Sequence, residues 1–342
     1  MWRRALRTLA LALLSVGAAC SKDADREPPN RVDSLFEIEL NGNRAFALTF
    51  NARNDLVVSG TGQNKKPAVS RWDGERNAKI DVAEQVWLER APSGEIFGIG
   101  TTRLFSFGTD AQSVKDLGEI TPSPRTALAQ SSARIGADGS IWFVHDVGKF
   151  HRLPPGSTTA VEVPVPPGTN AETALPGAYA RTGDGRIFAG VRGAGIYEVT
   201  ANGAEMIVPC SDPEIDDCNG GDILVVDSYA RAPLFRRGTS SAKVYRLDLE
   251  QRRLRLVADL GAHPDQILTS VADAPNGDIY LAVQPIQAAT GGAAILLKVA
   301  AGAEPTRMDR VTDDLILGPM AVVVRNDGKV FLNGGTLVQV IY

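Results

Sequence analysis

ADGSIWFV, residues 137–144, is the stretch from which the fold is read. Asp138-Gly139 is a tight-turn pair, because glycine takes positive φ without steric penalty. The residues after Ser140 are branched or aromatic, the composition of a strand. The same unit recurs as SGEIFGIG at 93–100, GDGRIFAG at 183–190, NGDIYLAV at 276–283 and NDGKVFLN at 326–333. Its glycine falls at 94, 139, 185, 277 and 328, in steps of 45, 46, 92 and 51 residues. A step of 92 is twice 46, which predicts a further copy with its turn near Arg231, in LVVDSYARAPLF. A weaker, earlier copy is FNARNDLVVSG at 50–60.

Each copy continues into two more short strands. The third is clear in RLFSFG (103–108), GIYEVT (195–200), KVYRLDL (243–249) and ILLKVA (295–300). Amphipathic helical stretches are absent. Four antiparallel strands in each 40–50-residue repeat predict an all-β chain, a β-propeller of seven blades. Six and eight blades are the neighbouring solutions, since residues 86–120 make a short blade. The last repeat supplies three strands, in MAVVV (320–324), KVFLN (329–333) and LVQVIY (337–342). An orphan strand, FEIEL (36–40), precedes the first repeat. Pairing of that strand with the C-terminal blade is expected to close the ring and remove an open edge.

The composition is that of a globular protein, with 44% hydrophobic and 22% charged residues among 342. The first 19 residues hold Arg3, Arg4 and Arg7 and no acid, so the remainder has 33 basic and 40 acidic residues, a net of −7. An acidic domain lacks the basic face that nucleic acid or anionic lipid requires. No partner of either kind is expected through charge.

Residues 1–20, MWRRALRTLALALLSVGAAC, carry a basic start, an apolar run over Leu9–Ala19 and then Cys20. The run is too short to span a bilayer and fits the core of an export signal. With Gly17, Ala18 and Ala19 before Cys20, it resembles a bacterial lipoprotein signal. That resemblance implies removal of residues 1–19 and an acylated Cys20 that anchors the protein in a membrane. An ordinary signal cleaved near Ala19 is the alternative. Ser21 after the cysteine implies an outer-membrane lipoprotein, on the periplasmic or the cell-surface side. Residues 20–34 read as a flexible tether, and residues 35–342 as one propeller domain. Cys210 and Cys218, in an oxidising compartment, are expected to form a disulfide, with two free thiols as the alternative.

The "D-G-x-I-W/F/Y" units resemble those of the NHL, gluconolactonase-like and streptogramin-lyase-like propellers, over roughly residues 36–342. The resemblance implies fold and not activity. Strict up-and-down alternation puts the loops between strands 2 and 3, and those from strand 4 to the next blade, on one face. Candidate ligand or partner residues there are Asp212, Glu214, Asp216, Asp217 and Asp222 of the acidic CSDPEIDDCNGGD loop, Arg236, Arg237, His145 and His263. Asp212, Glu214, Asp216 and Asp217 are oxygen donors of the type calcium takes, though not at EF-hand spacing. A solvated acidic loop facing Arg236 and Arg237 is the alternative. No cofactor is required by any motif, and no nucleophile motif accompanies His145, His151 or His263. Two readings result. One is a lipid-anchored envelope scaffold that binds a protein, peptide or glycan. The other is a lactonase-like hydrolase or a lyase, calcium-dependent if the acidic loop holds that ion.

Overall fold

The computed structural model of the chain describes residues 32–37, 47–61, 66–124, 133–143, 145, 149–164, 176–191, 194–209, 224–226, 234–236, 243–261, 266–285, 294–315, 319–334 and 337–341. They form seven four-stranded antiparallel sheets, the blades of a β-propeller. In chain order, blade 1 is Ala47–Phe50, Leu56–Thr61, Pro67–Trp72 and Asn77–Asp81. Blade 2 is Trp87–Arg90, Ile96–Ile99, Arg103–Ser106 and Lys115–Glu119. Blade 3 is Arg134–Ile135, Ile141–Phe143, Lys149–Leu153 and Val161–Pro164. Blade 4 is Pro176–Arg181, Ile187–Val191, Gly195–Thr200 and Gly203–Pro209. Blade 5 is Leu224–Val226, Leu234–Arg236, Lys243–Asp248 and Arg253–Asp259. Blade 6 is Gln266–Asp273, Ile279–Pro285, Ala294–Val299 and Asp309–Leu315. Blade 7 is Pro319–Val324, Val330–Gly334 and Leu337–Ile341, completed by Val32–Glu37.

The first strand of every blade touches the first strand of the next, from blade 1 round to blade 7 and back. These innermost strands therefore line a closed ring. Closure comes from the N-terminal strand, which pairs antiparallel with Leu337–Ile341 in the register Val32↔Ile341 to Glu37↔Leu337. The observed strand begins at Val32 and ends at Glu37, earlier than the FEIEL segment expected to form it. The copy expected near Arg231 exists as blade 5, whose first two strands flank that residue.

The recurring unit does two physical jobs. In blades 1, 2, 3, 4, 6 and 7 the first hairpin has one five-residue geometry. The N–H of its first residue donates to the carbonyl of its fifth (Gly136 to Ser140, 2.9 Å; Thr182 to Arg186, 3.0 Å). The N–H of its fourth donates back to the first carbonyl (Gly139 to Gly136, 3.0 Å; Gly185 to Thr182, 2.9 Å). That fourth residue needs positive φ: it is +86° at Gly185 and +86° at Gly328. Blade 1 uses Asn54 there, at +63°, the side chain that tolerates this region best after glycine.

The second job is packing between blades. In blades 2, 3, 4, 6 and 7 the branched residue after the turn faces the preceding blade, and the aromatic after it faces the following one. Ile141 packs with blade 2 residues Ile99 and Leu104, while Trp142 packs with Tyr179 and Tyr197 of blade 4. Ile187 sits with blade 3, and Phe188 with Tyr245 and Leu247 of blade 5. Blade 7 keeps the rule across the closure: Val330 packs on blade 6, and Phe331 stacks edge-on against Phe50 and Trp72 of blade 1. Both faces of each blade are thus covered, which is why all five residues of Ile187–Val191 are buried.

Candidate functional site

Because each blade alternates direction, the ring has a turn face and a loop face. The turn face carries the hairpins between strands 1 and 2 and between strands 3 and 4. The loop face carries the 2–3 connections and the passages between blades. The sequence points to the loop face. There, His145 follows the second strand of blade 3, and its Nδ1 lies 2.6 Å from the carbonyl oxygen of Ser123. Its ring lies edge-on to His151, centroids 5.0 Å apart. His151 is buried on the third strand, against Phe143. A carbonyl only accepts, so Nδ1–H of His145 donates to Ser123, and in the neutral ring Nε2 carries the free lone pair. Arg236 closes the second strand of blade 5 at its loop-face end. The remaining expected residues, Cys20, Cys210, Asp212, Glu214, Asp216, Asp217, Cys218, Asp222, Arg237 and His263, lie outside the described residues. No group of three metal-ligating side chains occurs among the described residues.

Among the described residues, two cavities open on the turn face, away from the loops that the sequence pointed to. One sits on the ring axis, where innermost strands run out into their hairpins. It has a volume of about 250 Å³ and takes its walls from blades 7, 1, 2 and 4. Phe50, Val323 and Val324 supply apolar lining; Arg90, Arg181, Asn54, Asn326 and Thr49 supply polar lining. The second is a groove of about 570 Å³ between blades 2 and 3, lined by Phe97, Leu117, Ile141, Pro154 and Pro155 with Glu95, Lys115 and Asp116 at its edge. Both include Ala91, so the hairpin of blade 2 stands between them.

The charges at the axis are unequal in their partners. Arg181, buried on blade 4, reaches back across the ring. Its guanidinium donates to the carbonyl of Arg90 on blade 2 and, at 3.3 Å, to that of Ile135 on blade 3. It also lies 3.5 Å from the carboxylate of Glu89, which is 1% exposed. The Arg181 charge is thereby matched, and three blades are tied at one point. Arg90 is half-buried beside it, and its guanidinium has no ion pair among the described residues. Arg134, also buried, lies over the ring of Trp87 with its carbon 5.7 Å from the centroid. Among other buried groups, burial pushes the Tyr179 hydroxyl well up, out of the range in which it ionises.

No known protein family matches this sequence, and no curated protein matches it. Solved structures do match in shape. Streptogramin B lyase is similar over 92% of this chain and 98% of its own, with 14% identity and a TM-score of 0.64. The extracellular domain of a putative one-component system from B. thetaiotaomicron is similar over 91% of this chain and 40% of its own, with 9% identity and a TM-score of 0.62. YCF48 bound to D1 peptide is similar over 92% of this chain and 97% of its own, with 14% identity and a TM-score of 0.59. At these identities the likeness is one of fold: the chain, like these proteins, folds as a β-propeller.

Proposed function

We propose that the protein is an exported, lipid-anchored envelope protein whose propeller is a binding scaffold for a protein, peptide or glycan. The observation that carries the reading is the axial pocket. Its ionisable lining is Arg90 and Arg181. A guanidinium stays protonated throughout the physiological range, so it can hold an anion but cannot shuttle a proton. Such a pocket is equipped for recognition. Anchoring is supported by the Arg3, Arg4, Arg7, Leu9–Ala19 and Cys20 pattern, and export by the extracellular domain among the structural neighbours. The peptide bound to YCF48 is in keeping with a ligand of that class.

Two experiments test it. Cys20→Ala, expressed in a Gram-negative host, is expected to lose its lipid and leave the membrane fraction; a lipid-bearing, membrane-bound variant would overturn the anchor. A photo-crosslinking residue in place of Asn326 is expected to give discrete adducts in whole cells, where one in place of Ala83, exposed on the loop face in the passage from blade 1 to blade 2, gives none. Identical patterns from the two positions would remove the turn face as a binding surface.

A second reading, a hydrolase or lyase, rests on His145, oriented by the Ser123 carbonyl on the loop face. It requires His145→Gln to abolish turnover of a lactone or a streptogramin-like ester. If the acidic loop holds calcium, adding that ion to chelator-treated protein must raise the melting temperature, and Asp216→Ala must remove the rise.

A further inference from the structure

We infer that the axial pocket binds a carboxylate attached to an apolar body, with Arg90 as its anchor. This rests on the scaffold reading and names the ligand class of that site. The argument starts from charge. Glu89 neutralises Arg181 at 3.5 Å, whereas Arg90 is half-buried with no carboxylate partner among the described residues. A cation held partly out of water without a counter-charge favours a bound anion. The side-chain amides of Asn54 and Asn326 stand in the same lining and make no hydrogen bond among the described residues. They add neutral donors that a carboxylate oxygen can accept from.

The apolar part of the lining sets the rest of the ligand. Phe50 and Val324 are apolar, and Phe50 is held in place by its edge-on contact with Phe331 at 5.5 Å. A bare inorganic anion would leave that apolar lining wet, whereas an aromatic or branched alkyl group covers it. The volume of about 250 Å³ lies just below the range of drug-sized sites, so the pocket takes a small acid or the end of a longer molecule. The adjoining groove beyond Ala91 has room for the continuation of such a molecule. The two sources of this chemistry are therefore a free carboxylic acid and the C-terminal residue of a peptide.

The test is calorimetric titration of the full-length protein in detergent. The probes are 3-phenylpropionate, its neutral amide, and a hexapeptide ending in Phe with a free or an amidated C-terminus. The acid is expected to bind at least tenfold more tightly than the amide, and 0.5 M salt to weaken it severalfold. A free-ended peptide binding more tightly than the acid identifies a chain end as the source; the reverse identifies a free acid. Arg90→Met is expected to lose tenfold or more. Asn54→Asp places a competing carboxylate in the lining, at a position whose φ of +63° aspartate also accepts, and is expected to weaken binding with an unchanged melting temperature. Equal binding of acid and amide, unchanged affinity in Arg90→Met, or no binding of either acid or peptide overturns the inference. The scaffold reading fails separately, in the crosslinking comparison, whatever these probes do.

Discussion

Two glycines at the same repeat position provide a measurement of how strongly neighbouring blades constrain one another. Gly185 and Gly328 are both the fourth residue of the first hairpin, and both have φ of +86°. Their surroundings differ. A Cβ added at Gly328 meets nothing within 4 Å, whereas one at Gly185 falls 2.6 Å from the backbone N of Ala137 and 2.7 Å from its Cα. That N–H is the donor to the Gly185 carbonyl, at 2.9 Å, in a bond that links the hairpins of blades 3 and 4. Gly328→Ala therefore incurs only the left-handed strain, ~1–2 kcal/mol, partly offset by a stiffer unfolded chain, for a net of about 1 kcal/mol. Gly185→Ala adds overpacking against an unyielding backbone, ~1–3 kcal/mol, and the linking hydrogen bond, ~1 kcal/mol, for a total of about 3–5 kcal/mol. At ~2.1 cal/mol/K per residue, a ring of this length loses about 1.5 °C of melting temperature per kcal/mol. The expected losses are about 1.5 °C for Gly328→Ala and about 5–8 °C for Gly185→Ala, read by calorimetry at matched scan rates. Gly328→Asn should be near neutral, because Asn54 already fills this position in blade 1. Equal losses for the two alanine variants would refute the idea that contact between adjacent hairpins, beyond local backbone strain, stabilises the ring.

Deleting Val32–Glu37 bares the edge of Leu337–Ile341 and removes the ladder that joins the chain ends; a loss of about 5 kcal/mol is expected, from several hydrogen bonds at ~1 kcal/mol each, measured by urea unfolding. Arg181→Met removes the cation 3.5 Å from the buried Glu89 carboxylate and should cost about 3–5 kcal/mol, while Glu89→Gln in the same chain should recover part of that loss; additive losses in a double-mutant cycle would contradict the pairing. Asp327, hydrogen-bonded by Arg325, and Asp184, hydrogen-bonded by Thr182, have carboxyls held below the usual 3.8. Since the folded values lie below the unfolded one, their stabilisation is present above about pH 4 and lost as pH falls through the folded values; Asp327→Asn should flatten that acid limb of a melting-temperature profile.

The blades were legible because each is specified locally. A turn that demands positive φ must be built from a few residue types, and glycine marks that position in five of the seven first hairpins, preceded by Asp or Asn in four and by Ser93 in blade 2. The branched-then-aromatic pair after it follows from the need of each strand to fill two different interfaces. Blade 5 lost its glycine and was found only because the spacing demanded a copy there. The closing strand was legible in kind and displaced in position. The stretch VDSLFEIEL (32–40) offers more than one strand-forming window, and the pairing with Leu337–Ile341 selects Val32–Glu37.

The axial pocket was not legible, and the reason is topological. Its walls come from Phe50, Arg90, Arg181 and Val324, the last residues of the innermost strands in blades 1, 2, 4 and 7. Each is separated from the next by one or more whole repeats, so no local motif contains two of them. Long loops and clustered acids, by contrast, are visible within a dozen residues. The repeat itself contains the missing signal. Aligned on the hairpin, the position just before the turn reads Phe50, Arg90, Ile135, Arg181, Asp273 and Val324. A position at the end of a buried strand should be apolar in every copy, as it is in blades 1, 3 and 7. Charged residues in blades 2, 4 and 6 break that rule at the one place where all blades converge. A buried charge at a strand end costs stability unless something answers it. Glu89 answers Arg181. For Arg90 no such partner stands among the described residues, and that asymmetry makes the axis a place to look for a ligand.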